Sequence, residues 1–174
     1  MEQILKAILG FSLLLFSTYK GNDPKFDNFS YSYNANNLVI SIDLKDAFIN
    51  DFKPIIKSTK PLFLNYSVKL TNESGKIIFS KTYTNSIVFD AILQTFTLGT
   101  SSQSTSKQRY NDAIDVLSSF KTNIIINEPQ LLYAEISAYP QKMKINGKTI
   151  DLKLLWKNKI PRFKTRLIPR IYEH

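Results

Sequence analysis

The chain has no cysteine, and its one histidine, His174, is the last residue. These two absences exclude zinc sites of the Cys/His kind, and with them Ser-His-Asp and Cys-His nucleophiles. Without disulfides, burial of a core must hold the fold together. Glycine is scarce too. Gly10, Gly21, Gly75, Gly99 and Gly147 are scattered, and none forms the phosphate-cradling loop of a P-loop or a dinucleotide fingerprint. No metal, no cofactor and no catalytic residue are expected, so the chain reads as non-enzymatic. Acidic side chains are outnumbered, 14 Asp and Glu against 23 Lys and Arg. The resulting net charge of +9 favours anionic surfaces as partners.

What the chain does have is apolar: 43% of its 174 residues, enough for a real core. Lys6 is followed by an uncharged run from Ala7 to Ser17. As a helix that run covers roughly 16 Å, well short of the ~30 Å hydrocarbon core of a bilayer. It has the size of a signal-peptide apolar region, so residues 1–21 are expected to be a signal peptide or a retained N-terminal anchor. Either way the domain is expected to be exported, to the periplasm or the outer face of the cytoplasmic membrane. No small-x-small cleavage pattern follows the run, which leaves cleavage open.

From Phe26 to about residue 160 the dominant period is two, as in half-buried strands. Leu38, Ile40, Ile42 and Leu44 share one face, and so do Leu62, Leu64, Tyr66, Val68 and Leu70. Asn72-Glu73-Ser74-Gly75 then predicts a hairpin turn into KIIFSKTYT. Ile87 to Leu98 reads as one long central strand. Leu132, Ala134, Ile136 and Ala138 share a face of another. Asn146-Gly147 is the strongest hairpin signal, and TIDLKLLW after it alternates through Ile150, Leu152, Leu154 and Trp156 as a strand running to about Lys159. Two helices interrupt the strands. DFKPIIKST is short, with Asp51 as its cap and Pro54 in its first turn. Tyr110, Ala113, Ile114, Leu117 and Phe120 form one apolar helical stripe, preceded by a polar loop from Gly99 to Ser106, with Ser106 or a neighbour as N-cap. The expected fold is mainly β with minor α: an antiparallel sheet or sandwich carrying one amphipathic and one short helix. Its core is expected to include Ile40, Leu64, Val68, Phe89, Leu93, Leu117, Ile136 and Trp156.

Candidate functional residues are few. Asp43 with Asp46, and Asp112 with Asp115, are carboxylate pairs of the kind used in acid–base chemistry or Ca²⁺ binding, but they read better as turn, cap and helix-dipole residues. Asp90 interrupts an apolar strand and would need a partner if buried. Phe29, Tyr31 and Tyr33 line one strand face, as a ligand-stacking platform or an ordinary edge strand would. The C-terminal run WKNKIPRFKTRLIPRIYEH alternates Arg162, Lys164, Arg166 and Arg170 with apolar residues. Pro161 and Pro169 bound its segments, and the spacing fits neither a long helix nor a clean strand. Residues 161–174 are therefore expected to form a basic extended tail. It would pack along the domain edge, or touch an anionic membrane surface or an acidic partner.

Three stretches together resemble a bacterial family of exported proteins, domain-of-unknown-function family 4390. FKPIIKSTKPLFLNYSVKL resembles its short helix, turn and strand, with Ser58-Thr59 standing where the family usually has a glycine. NSIVFDAILQTFTL resembles its apolar–aromatic strand. YNDAIDVLSSF followed by LLYAEISAY resembles its helix and late tyrosine-bearing strand. The resemblance spans Leu38 to Lys159 and implies an envelope location with no catalytic residues. The expected function is then an exported, non-enzymatic domain that binds or scaffolds an envelope protein partner; a small-ligand or lipid carrier, with an apolar pocket between sheet and helix, is the alternative. Export disfavours nucleic acid as a partner.

Overall fold

A computed structural model describes residues 21–34, 36–100, 103–127, 129–145 and 147–169. The apolar run at 7–17, Arg170 and His174 lie outside the described residues. The architecture is a mainly β, antiparallel sandwich with minor α, as the periodicity indicates. β1 (Lys25–Asn34), β2 (Asn37–Lys45) and β7 (Ser119–Ile125) make a three-stranded sheet in the order β1-β2-β7. The larger sheet runs β11-β8-β3-β4-β5-β6, from β11 (Arg162–Leu167) and β8 (Leu132–Pro140) through β3 (Leu62–Thr71) and β4 (Ile77–Asp90) to β5 (Thr95–Gly99) and β6 (Ser104–Lys107). The short β9 (Met143–Ile145) and β10 (Lys148–Ile150) form a separate hairpin, with Gly147 at φ +78°. The two α-helices are α1 (Phe52–Ile56) and α2 (Tyr110–Ser118).

The core lies between the sheets. Leu38, Ile40, Ile42 and Leu44 of β2 face Leu62, Leu64, Tyr66, Val68 and Leu70 of β3, all buried. Tyr66 and Phe120 stack across the gap with centroids 4.7 Å apart. The Tyr66 hydroxyl donates to the carbonyls of Leu117 (3.2 Å) and Ser118 (3.0 Å), and Asn85 Nδ2 donates to Leu117 as well. Those carbonyls belong to the last turn of α2, where a helix has no partners of its own. Residues of the large sheet thus cap the helix. At the other pole Trp156, Phe48 and Phe52 pack together, and the indole N–H donates to Ala47 O at 2.8 Å. Asn22 is buried there and donates to Leu155 while accepting from the Ile49 and Asn50 amides, which ties the start of the described chain to this pole.

The β3–β4 hairpin forms at the expected turn: Asn72 Oδ1 accepts from Lys76 N, and Gly75 takes φ +79°. Five local readings need correction. Ile87 to Leu98 is a hairpin, not one strand. Asp90 Oδ1 accepts the amides of Ile92 and Leu93, Gln94 turns at φ 52°, and Phe89 faces Phe96 across the pair at 4.8 Å. Leu93 is therefore 69% exposed and no part of the core, while the other seven expected core residues are buried. TIDLKLLW leaves the strand after Ile150. Asp151 accepts from Lys153 N and starts a 3-10 helix, Leu152–Trp156, whose three-residue period buries Leu152 and Leu155, with Trp156 beside them, but exposes Leu154. Phe120 extends the helical stripe only in the sequence; α2 ends at Ser118 and Phe120 sits in β7. Ser106 lies in β6, and the α2 N-cap is Arg109, with no side-chain cap. Asp51 stands at the N-cap of α1 but makes no capping hydrogen bond.

Candidate binding surface

Arg162–Leu167 is an edge strand, paired antiparallel with β8 from Arg162↔Ser137 to Leu167↔Leu132. Pro161 opens it without loss, since a strand's first residue tolerates the missing N–H. Leu167 turns inward and is fully buried, with Phe163 half-buried, while Arg162, Lys164 and Arg166 are exposed on the opposite face. The alternation that looked too irregular for a strand is a strand's alternation, made legible by its partner. The apolar residues pack along the domain edge, and the three cations stand in a row on the outer face of the large sheet.

Neighbouring strands complete that surface. Register places Lys164, Glu135 and Lys69 side by side on β11, β8 and β3, and Arg166, Tyr133 and Thr71 in the next row. Glu135 pairs with Lys164 at 3.4 Å and with Arg162 at 3.8 Å. Arg166 and Lys69 pair with no acid among the described residues. All of these side chains but Arg162 border a shallow crevice of about 410 Å³. Four cations against one acid make this a positive face whose exposed groups can take an anionic partner. Lys69 and Tyr133 escaped the sequence reading, although each is out of phase with the buried positions of its strand.

The aromatic row of β1 is engaged within the protein. A bulge between Asp27 and Ser30, with Asn28 at φ 52°, aims Phe29 at Phe163 of β11, centroids 4.7 Å apart. The Tyr31 hydroxyl accepts from Ile168 N at 3.2 Å, and Tyr33 donates to Gln130 O. Tyr31 and Tyr33 meet edge to face. Burial, with a smaller effect of Tyr31, pushes the Tyr33 hydroxyl up to about 12. The row forms a seam between β1 and β11.

The acids stay apart in function. Asp43 accepts from Asn28, and Asp46 pairs with Lys25 at 2.9 Å. Asp90 serves its turn. Asp43, Asp46 and Asp115 line a groove of about 720 Å³ between the end of β2 and α2. Among the described residues no three acid side chains converge as a metal site would require. Ala113 and Leu117 of α2 pack directly on the sheet, both fully buried. No helix among the described residues is long and apolar enough to cross a membrane. Comparison of the sequence with protein-family models and with curated proteins finds no match.

Proposed function

We propose that this protein is an exported, non-enzymatic domain of the cell envelope that works by binding, held against an anionic surface by the outer face of β11. The observation that carries the reading is the row Arg162, Lys164 and Arg166, exposed together beside Lys69 with, among the described residues, only Glu135 to neutralise it. Export follows from Lys6 and the apolar run behind it. Of Ser58-Thr59, which stand where domain-of-unknown-function family 4390 usually has a glycine, Thr59 holds φ at 64°, a conformation natural to glycine and costly to a β-branched residue. A small-ligand or lipid carrier is the second reading. The groove beside α2 favours it, but three carboxylates in its lining suit an apolar cargo poorly.

Co-sedimentation with vesicles tests the first reading. Each basic side chain near an anionic surface is worth about 1 kcal/mol. Replacing Arg162, Lys164 and Arg166 by Gln should then weaken binding to phosphatidylglycerol vesicles on the order of a hundredfold. Equal binding of the two proteins, or binding indifferent to salt and lipid charge, would remove the anionic-membrane reading. A reporter without a signal of its own, fused after residue 25, tests export separately; activity in the cytoplasm would overturn the compartment.

A further inference from the structure

The two sheets have four edges, and three of them are guarded. β6 is four residues long. β11 carries three outward cations, and β1 is bulged and covered by the seam with β11. Short strands, charges and bulges are the ordinary ways to keep an edge from pairing with another chain. β7 is the least guarded: it is seven residues long, pairs with β2 without a register break and carries a single charge, Lys121.

The direction of its free backbone groups follows from the ladder. Ile126 N–H donates to Asn36 O at 2.8 Å, and hydrogen-bonded pairs alternate along an antiparallel ladder. Residues 120, 122 and 124 therefore turn their N–H and C=O toward β2, and Lys121, Asn123 and Ile125 turn theirs away from the sheet. The Ser119 amide bonds Asp115 O, so the open stretch begins at Lys121. Ile125 is 81% exposed. Beside the edge lies a cleft of about 310 Å³, bordered by Asn85, Thr100, Gln103, Ser119, Phe120 and Lys121. Val116 and Phe120 supply the apolar part of its border and the rest is polar; Lys121 pairs with no acid among the described residues.

We propose that the β7 edge receives an extended segment of a partner protein as an added strand, with an acidic side chain of that segment placed in the cleft against Lys121. Main-chain pairing supplies affinity in such additions, and a pocket for alternate side chains supplies specificity. An acid is the complement of the one charge at this edge and of a chain carrying +9 overall. The proposal rests on reading the protein as a binding domain but uses the sheet opposite β11.

Amide hydrogen exchange on the full chain tests it, with short synthetic peptides of alternating Val and Thr bearing Glu, Gln or Lys at the centre. In the free protein the amides of Lys121, Asn123 and Ile125 should exchange at least about tenfold faster than those of Thr122 and Ile124. The Glu peptide should slow them, and the Lys peptide should not. Lys121→Glu should reverse that preference. Asn123→Pro should abolish binding, since it removes an N–H that serves only the free edge. Edge amides already protected in the free protein would overturn the proposal, as would no protection by any peptide or a peptide preference unchanged by Lys121→Glu. Protection that rises with protein concentration alone would overturn it by naming a second copy as the occupant. Vesicle binding through β11 should be unaffected by either variant, so failure here is separable from failure of the anionic-surface reading.

Discussion

Where β1 meets β11, the two sheets are joined side chain to side chain: Phe29 on Phe163, and the Tyr31 hydroxyl with the backbone of Ile168. On the opposite side β7 meets no further strand among the described residues, and α2 spans the gap, packing on β4, β5 and β6 as well as β2. The first closure is made by partly exposed rings and leaves no edge unattended. The second uses buried aliphatics and a capped helix end, and leaves one strand edge unpaired among the described residues. A helix can close a sandwich by area alone, but it cannot pair with strand backbone. The difference separates stability from sociability: the helix side should carry more of the folding energy and also more of the capacity to pair with another chain.

The most severe way to break this contrast is Leu117→Ala, which removes a fully buried side chain from the helix. It should cost about 2–5 kcal/mol in denaturant unfolding. A loss near that of a surface change, under about 0.5 kcal/mol, would mean that α2 is not docked. On the ring-joined side, Phe163→Ala should cost less, about 1–3 kcal/mol, because the side chain is only half-buried. A cost above that of Leu117→Ala would invert the comparison. Tyr66→Phe tests the helix cap alone. It keeps the ring stack on Phe120 and removes the hydroxyl from the Leu117 and Ser118 carbonyls, for an expected loss of about 1–2 kcal/mol. Full stability in this variant would show that the cap contributes nothing. Thr59→Gly is a control away from both sides. Relief of the positive φ outweighs the extra freedom of glycine in the unfolded chain, so it should stabilise by about 0.5–1 kcal/mol. Destabilisation would show that the threonine is held by contacts outside that balance.

The smallest expected effect is alkaline. Burial raises the hydroxyl of Tyr33 on the ring-joined side to about 12, and burial raises those of Tyr66 and Tyr110 on the helix side as well. A raised folded-state value means that the protonated form is favoured by folding. The associated stability is whole below the unfolded value near 10, and it is lost as pH rises through the folded values. Tyrosinate absorbance at pH about 11 should leave these three hydroxyls unionised until the protein unfolds. A complete tyrosinate signal before loss of near-ultraviolet circular dichroism would contradict their burial.

The candidate surface was half legible. Arg162, Lys164 and Arg166 stood out by charge, yet their strand did not, because its apolar positions are meaningful only against β8. Lys69 and Tyr133 reach the same face from strands more than sixty residues apart in the chain. The β7 edge left no local trace, since an unpaired backbone looks the same in sequence as a paired one. Phe120 shows the difficulty well: helical spacing claims it, and the stack on Tyr66 pulls it into a strand.

Residue pattern alone sufficed for the class of fold, the β3–β4 turn, the apolar faces of β2, β3 and β8, and the exclusion of Cys/His chemistry. Those follow from local rules: side-chain period, turn residues with side chains that bond their own backbone, and the presence or absence of a functional group. Contacts between distant elements settle that Ile87 to Leu98 folds back at Asp90, that Leu152–Trp156 coils, and that Arg162–Leu167 of the basic C-terminal run is a strand. In each the residues suit two conformations about equally, and the choice falls to burial against elements distant in sequence. Phe96 comes to lie against Phe89, Trp156 against Phe48 and Phe52, and Leu167 opposite Leu132. Long-range burial of this kind outweighs a local preference of a few tenths of a kcal/mol per residue, or about 1 kcal/mol at most.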